Sequence, residues 1–398
     1  MTRRFAWILV LLPVGLTAQG AGGQRGAGGG AITSQEVIGP ARPLTQLFTQ
    51  DAYTEYALLE PGSESFRIRF LPETRAGSTE LTNETRGGSE GSGVEVYDPR
   101  TGKAYALVKE NPKPGEFVYE PIPNDTEGHR IRAALPIKVP EGGIGRVLIY
   151  KTYKDPRTYR MNGEDIAWVR SLSGYRLGVI LPKGFAFLSA NVAAQLSTTA
   201  DGRLKLAFAN PSGQSNPVTI HARKTTATFE PSPFTDMFFD DVKTLYDLDA
   251  PETARVSVEQ IYSDYRKGDK AHLDSLSYLV LDDLKVIDLD TANALTVAKD
   301  GTAKLEVPIT DDKQSAHLKI TGKLKDAGYK VAKDELVFER TMKGMRNTVL
   351  LPAGWEVSWV SQSGTIGQRE GRAFVALINL NAENMYKVTI RARRAKTS

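Results

Sequence analysis

The chain has 398 residues, 40% of them hydrophobic and 25% charged, with a formal net charge of +4 and no cysteine. That composition is ordinary for a globular protein of two or three domains, and it excludes disulfides, thiol catalysis and thiolate metal sites. A charge this small, about +2 once Arg3 and Arg4 are set aside, gives no argument for nucleic acid as a partner.

Residues 1–20 read as an export signal. Arg3 and Arg4 supply the positive start, Phe5 to Leu16 an apolar run, and Thr17, Ala18 and Gly20 the small residues that suit cleavage. The run is shorter than the roughly 20 apolar residues a membrane span requires, and no later segment reaches that length. Thr2-Arg3-Arg4 departs from a twin-arginine signal because Phe5 comes one position early. The expected product is periplasmic or extracellular, soluble or peripheral to a membrane. Residues 21–42, around Gly26-Ala27-Gly28-Gly29-Gly30, bury too little apolar surface to fold and form a tether.

From residue 43 onward the chain repeats itself. Leu181-Pro182-Lys183-Gly184-Phe185 is matched by Leu351-Pro352-Ala353-Gly354-Trp355. Val218-Thr219-Ile220-His221-Ala222-Arg223 is matched by Val388-Thr389-Ile390-Arg391-Ala392-Arg393. Upstream, Trp168 faces Phe338, and Tyr153-Lys154-Asp155 faces Leu324-Lys325-Asp326. The offset is close to 170 there. It is 190 at the start, where Tyr56-Ala57-Leu58 and Pro61 face Tyr246-Asp247-Leu248 and Pro251, so the second copy is shorter by about twenty residues in its middle. One module covers 43–224 and the other 233–394. Thr225 to Ser232 form an extended linker.

Each module reads mainly as strands. Val218, Ile220 and Ala222 alternate with Thr219, His221 and Arg223, and residues 387–393 repeat the pattern. Asn162-Gly163 and Asp201-Gly202 suit hairpin turns. Prolines and glycines fall every eight to fifteen residues. The expectation is an all-β, mainly antiparallel fold of two tandem β-sandwich-like domains. A short helix opens each, since Phe234, Met237, Phe238, Val242 and Leu245 recur at helical spacing; residues 258–281 offer another.

No catalytic, cofactor or metal constellation is legible. The four histidines, His129, His221, His272 and His317, lack metal-ligand spacing, and His221 is an arginine in the second copy. Asp236, Asp240, Asp241, Asp247, Asp249 and Glu252 form an acidic cluster. Asp288-Leu289-Asp290-Thr291-Ala292-Asn293 starts like a calcium loop but lacks its glycine and distal Glu; its counterpart, Asp98 to Gly102, reads as a turn. Asp155, Glu164 and Asp165, recurring as Asp326, Asp334 and Glu335, are candidate carboxylates for a hydrolase, although acidic hairpin turns would recur too. Trp168, Trp355 and Trp359 are candidate ligand contacts for a sugar, with Trp355, Val357 and Trp359 expected on one strand face. Arg391 to Lys396 form a basic final strand, and Asn83-Glu84-Thr85 has the pattern of a glycan acceptor.

The Leu-Pro-x-Gly-aromatic step, the Asp201-Gly202-Arg203 turn and the Arg391-Ala392-Arg393 ending resemble those of uncharacterised exported proteins of environmental bacteria with a duplicated β-rich module. His221 and Glu370 depart from the pattern. The resemblance implies a fold and no catalytic residue. Duplication without a chemical constellation points to a non-enzymatic binding or scaffolding protein of the cell envelope, an accessory structural subunit that engages a protein partner with linked modules. A carbohydrate-binding protein and a carboxylate hydrolase are the alternatives.

Overall fold

A computed structural model describes residues 53–85, 90–125, 128–172, 174–210, 215–232, 242–379 and 385–395. The described chain is nearly all β, with three short 3-10 turns. The larger sheet of the first half runs, edge to edge, through Gln195–Thr198, Leu204–Ala209, Arg176–Ile180, Tyr53–Leu58, Ser65–Leu71, Leu148–Lys154 and Glu90–Tyr97. The second half repeats this order with Gly364–Arg369, Arg372–Ile378, Arg346–Leu350, Val242–Leu248, Arg255–Asp264, Ala316–Lys325 and Asp282–Asp288, and adds Ala294–Leu295. Within these two sheets pairing is antiparallel except where Tyr53–Leu58 meets Arg176–Ile180, and that exception recurs between Val242–Leu248 and Arg346–Leu350.

A four-stranded sheet packs on each larger one. It runs Tyr159–Asn162, Asp165–Leu172, Asn216–Lys224, Phe185–Ala190 in the first half and Tyr329–Ala332, Glu335–Met342, Tyr386–Arg394, Trp355–Val360 in the second. The alternation seen in the sequence places Val218, Ile220 and Ala222 inside, as it does Val388, Ile390 and Ala392. The Leu-Pro-x-Gly-aromatic step carries the chain from one sheet to the other. Gly184 and Gly354 adopt φ of +78° and +76° there, a region that an L side chain enters only with strain. In both cores a tyrosine hydroxyl ties down the strand opening the sandwich: Tyr159 donates to Leu59 O at 2.9 Å, and Tyr329 donates to Asp249 O.

The helix expected at the start of the second module does not extend through Val242–Leu248, which is a strand. This is the centre of a sheet covered on both faces: Tyr246 and Leu248 enter the sandwich core while Leu245 packs outward beside Leu350 and Phe374. Apolar residues on both faces gave the three-residue spacing of a helix. Residues 44–48 and 234–241 lie outside the described residues. The span 258–281 is also not a helix; it holds the strands Arg255–Asp264 and Gly268–His272 and a 3-10 turn at Asp274–Ser277.

The apolar clusters of the described residues each draw on one half. The halves meet through polar contacts, and these repeat as well. Ser315 N donates to Pro99 O, and Ile144 N donates to Leu289 O, both at 2.8 Å. Under the two offsets Pro99 corresponds to Leu289 and Ile144 to Ser315, so each bond is the image of the other. The interface is isologous, as in a two-fold dimer. Around it Arg146 makes bidentate bonds of 2.9 and 2.6 Å to Asp290 and reaches Ser315; Arg100 pairs with Glu306 at 2.6 Å. The linker is not free either: Phe229 packs on the first sandwich core, and Ser232 exchanges two bonds with Thr198.

Candidate functional site

The three tryptophans are not brought together. Trp168 is wholly buried between Tyr56 and Phe66, at ring distances of 5.2 and 6.4 Å. Trp355 is 4% exposed and carries the Arg394 guanidinium 4.4 Å from its ring centroid. Trp359 is 50% exposed, with Arg391 over its ring at 5.4 Å. The expectation that Trp355, Val357 and Trp359 share a face is corrected by a β-bulge between Val357 and Trp359, which turns Val360 toward the core and Trp359 toward solvent.

The recurring carboxylates are held in structural pairs. Asp155 is buried and accepts bonds from Arg157 N and from Thr158 N and Oγ1, with Arg170 at 3.8 Å. Its counterpart Asp326 receives Arg340 at 2.6 Å. The Arg170 guanidinium in turn lies over Tyr56, Phe66 and Tyr153. Asp165 lies at the surface in a bidentate pair with Arg223, which holds its carboxyl below the usual carboxylate range. Glu335 faces Arg391 and Arg393. Asp155 and Asp165 thus share no partner.

Asp288 to Asn293 is a turn. Asp288 Oδ1 accepts from Asp290 N, while the Asp290 side chain is committed to Arg146. Among the described residues no three His, Asp or Glu side chains are grouped to hold a metal ion; Asp236, Asp240 and Asp241 lie outside them. Asn83 sits in the strand Glu80–Glu84, its Oδ1 accepting from the buried Lys151 ammonium at 2.6 Å. Burial and the Arg170 charge depress Lys151 to about 7. His129 stacks on Tyr119 at 5.0 Å, His221 lies on an exposed strand face, His272 lies beside Asp264, and His317 faces Glu73 of the other half at 3.6 Å.

A concave feature that the sequence did not reveal is an open cleft among the described residues at the end of the second sandwich, about 490 Å³ with an adjoining lobe of about 370 Å³. Trp355 and Pro251 lie where the two lobes meet. The rim carries Asp247, Asp249, Glu252 and Asp334 against Arg372 and Arg394. Arg372 is occupied by Asp247 at 2.5 Å and by the carbonyls of Leu351 and Leu248; Arg394 is stacked on Trp355. Burial, with the Asp249 and Glu252 charges added, pushes the nearby Tyr329 phenol up. Asp247, Asp249 and Glu252 had been read only as an acidic cluster; their meeting with Trp355 and Arg372 depends on strands more than a hundred residues apart.

No protein-family model matches the chain, and no curated relative does. A crystal structure of a "putative protease" from Parabacteroides distasonis ATCC 8503 covers 87% of this chain and 93% of its own at 10% identity, with a TM-score of 0.26. Similarity that slight carries no argument about function.

Proposed function

We propose that this chain is an exported, non-enzymatic binding or scaffolding protein of the cell envelope, an accessory structural subunit for a protein complex. The observation that carries the reading is the isologous polar interface. Paired backbone bonds and the Arg146–Asp290 clamp hold two copies of one sandwich in a single pose. A rigid pair of modules presents two surfaces at a fixed spacing, so a second contact to the same partner becomes intramolecular. The acids that recur between copies are used to stabilise turns and cores. Export rests on residues 1–20, and among the described residues no helix is long and apolar enough to cross a membrane.

The test is affinity capture of the full chain, exported through its own leader, from envelope extract of its source, quantified against an unrelated exported protein. Enrichment of one stoichiometric partner is expected. Recovery of nothing above background would overturn the reading. The exposed Trp359, capped by Arg391, supports carbohydrate binding as a second reading. Glycan-array binding that Trp359→Ala abolishes would favour it; an array without signal removes it.

A further inference from the structure

We infer that Lys151 and Asn83 are placed to join through an isopeptide bond, a covalent staple between two sheets of the first module. Such a staple is independent of what the chain binds. Lys151 Nζ donates to Asn83 Oδ1 at 2.6 Å. The amine comes from Leu148–Lys154, inside the seven-stranded sheet. The carboxamide comes from Glu80–Glu84, the edge of a separate four-stranded sheet that continues through His129–Ala134, Glu116–Pro121 and Ala106–Leu107. Two-residue alternation puts Lys151 on the core face between Ile149 and Tyr153, and Asn83 on the same face of its strand as Leu81. Leu81 and Ile149 belong to one apolar cluster, so the pair lies where the two sheets close on each other.

The surroundings favour the uncharged amine. Lys151 is 4% exposed, and a second cation is close: Lys151 Nζ stands 5.0 Å from the Tyr153 ring centroid and the Arg170 guanidinium 5.5 Å from it. Among the described residues no carboxylate pairs with Lys151. Burial and the Arg170 charge hold it at about 7, so the nucleophilic free amine is well populated at neutral pH. A buried ammonium beside a like charge is costly, and a secondary amide carries no charge at all. The second module avoids the cation altogether. Gly322 stands in place of Lys151, where an added Cβ would lie 2.8 Å from Leu281 Cβ, and Leu273 stands in place of Asn83. The lysine and asparagine are therefore features of one copy and not of the shared frame.

In the reaction the free Nζ attacks Cγ of the Asn83 carboxamide. A bond forms between Nζ and Cγ, the bond from Cγ to Nδ2 breaks, and Nδ2 leaves as ammonia with a proton given up by Nζ. Nothing is oxidised or reduced, and the chain loses the mass of one ammonia. No carboxylate acts on Lys151, so closure lacks a general acid and is slow. Its rate follows the fraction of free amine and rises as pH passes about 7. Lys151 titrates only in the open chain. Closure ties together residues 68 positions apart and constrains the unfolded chain as a disulfide would, in a protein that has no cysteine to form one.

The experiment follows the full chain by intact mass and by mapping of protease digests. The protein is purified at about pH 5, where the amine is protonated, and moved to about pH 9, where it is not. Loss of one ammonia is expected, at least tenfold faster at the higher pH, with a branched peptide that joins the segments holding Lys151 and Asn83. The same chain incubated in urea should form no branched peptide, because the fold supplies the contact. Lys151→Arg and Asn83→Ser should each abolish it; a cooperative melt of each variant shows that the fold is kept, and the wild-type digest judges the proposal whether or not they fold. No branched peptide at the higher pH overturns the proposal. So does ammonia loss without a branch, as from a succinimide, or hydrolysis of the Asn83 carboxamide to aspartate in its place. A branch that survives Lys151→Arg, or that forms equally in urea, overturns it as well.

Discussion

Replacing Arg146 by alanine should cost more stability than removing any surface charge in this protein. Its side chain is 1% exposed and binds Asp290 through two nitrogens and Ser315 through Oγ and O. Burial pushes the Asp290 carboxyl up, and the guanidinium opposes that shift; bonds of 2.9 and 2.6 Å are those of an ionised, bidentate pair. Removing one partner of a buried pair leaves the other uncompensated, at about 3–5 kcal/mol. Urea unfolding followed by tryptophan fluorescence reads it, because Trp168 in one half and Trp355 in the other are both buried. The variant should lose the coupling between halves and unfold in two steps. The loss should also depend on pH in a known direction. Burial already holds the Asp290 pKa above its unfolded value, and with Arg146 gone it rises further, so the folded variant takes up the proton at a higher pH than the wild type. The deficit is then full at neutral pH and shrinks as pH falls through the raised pKa. Asp290→Asn, which strands a guanidinium instead, should show no relief in acid. A loss below about 1 kcal/mol for Arg146→Ala, or the same pH profile for both variants, would refute the reasoning.

Trp168→Ala should destabilise by about 3–5 kcal/mol as a cavity in the core, whereas Trp359→Ala should stay within about 0.5 kcal/mol; thermal melts of both decide between a packing and a surface role. Lys151, depressed to about 7 against 10.5 when unfolded, makes the unfolded chain the better proton binder between those values, so stability should rise with pH from about 7 to 10.5. Lys151→Met should flatten that slope in a pH series of urea midpoints. Phe229→Ala should cost about 1–2 kcal/mol, less than a full core deletion because the ring is only half-buried; no change would show that the linker does not stabilise the first module. Glu55 and Lys205, a buried pair bonded to Tyr53, stand where the second copy has Leu245 and Phe374. Lys205→Phe alone should destabilise by about 3 kcal/mol, and adding Glu55→Leu should recover most of it, as a double-mutant cycle would show.

The fold was legible where burial imposes a period. Strands covered on one face, such as Asn216–Lys224, show two-residue alternation, and the offsets of 170 and 190 place the two copies on each other strand by strand. Legibility failed where both faces are covered, as in Val242–Leu248, and where one extra residue shifts the pleat, as at the bulge before Trp359. Neither feature alters composition or spacing in a way that periodicity can detect. The aromatic exchanges were informative for the opposite reason. Trp168 against Phe338, and Phe185 against Trp355, are swaps of similar volume, and all four rings are buried. The cleft and the module interface were not legible because they are built by contacts between distant turns. Asp98 to Gly102 read as a turn and Asp288 to Asn293 as an incomplete calcium loop, but nothing local says that each is a turn docked on the opposite module.

That pair of turns also explains why the copies differ where they do. An isologous interface requires both modules to keep the same self-complementary backbone, and the two images of the 2.8 Å bond show that they have. Side chains at the interface are free to become unlike, since each position now faces one known neighbour. Arg146 corresponds to His317 and Arg100 to Asp290, and the pair that clamps the halves uses one member of each. The ends of the sandwiches are under no such requirement. There the second copy carries Asp247, Asp249 and Glu252 where the first has Ala57, Leu59 and Gly62. Fusion thus keeps the contact that joins the modules symmetric and lets their outer ends diverge. The end with the open cleft and unlike charge is where a partner should be sought first.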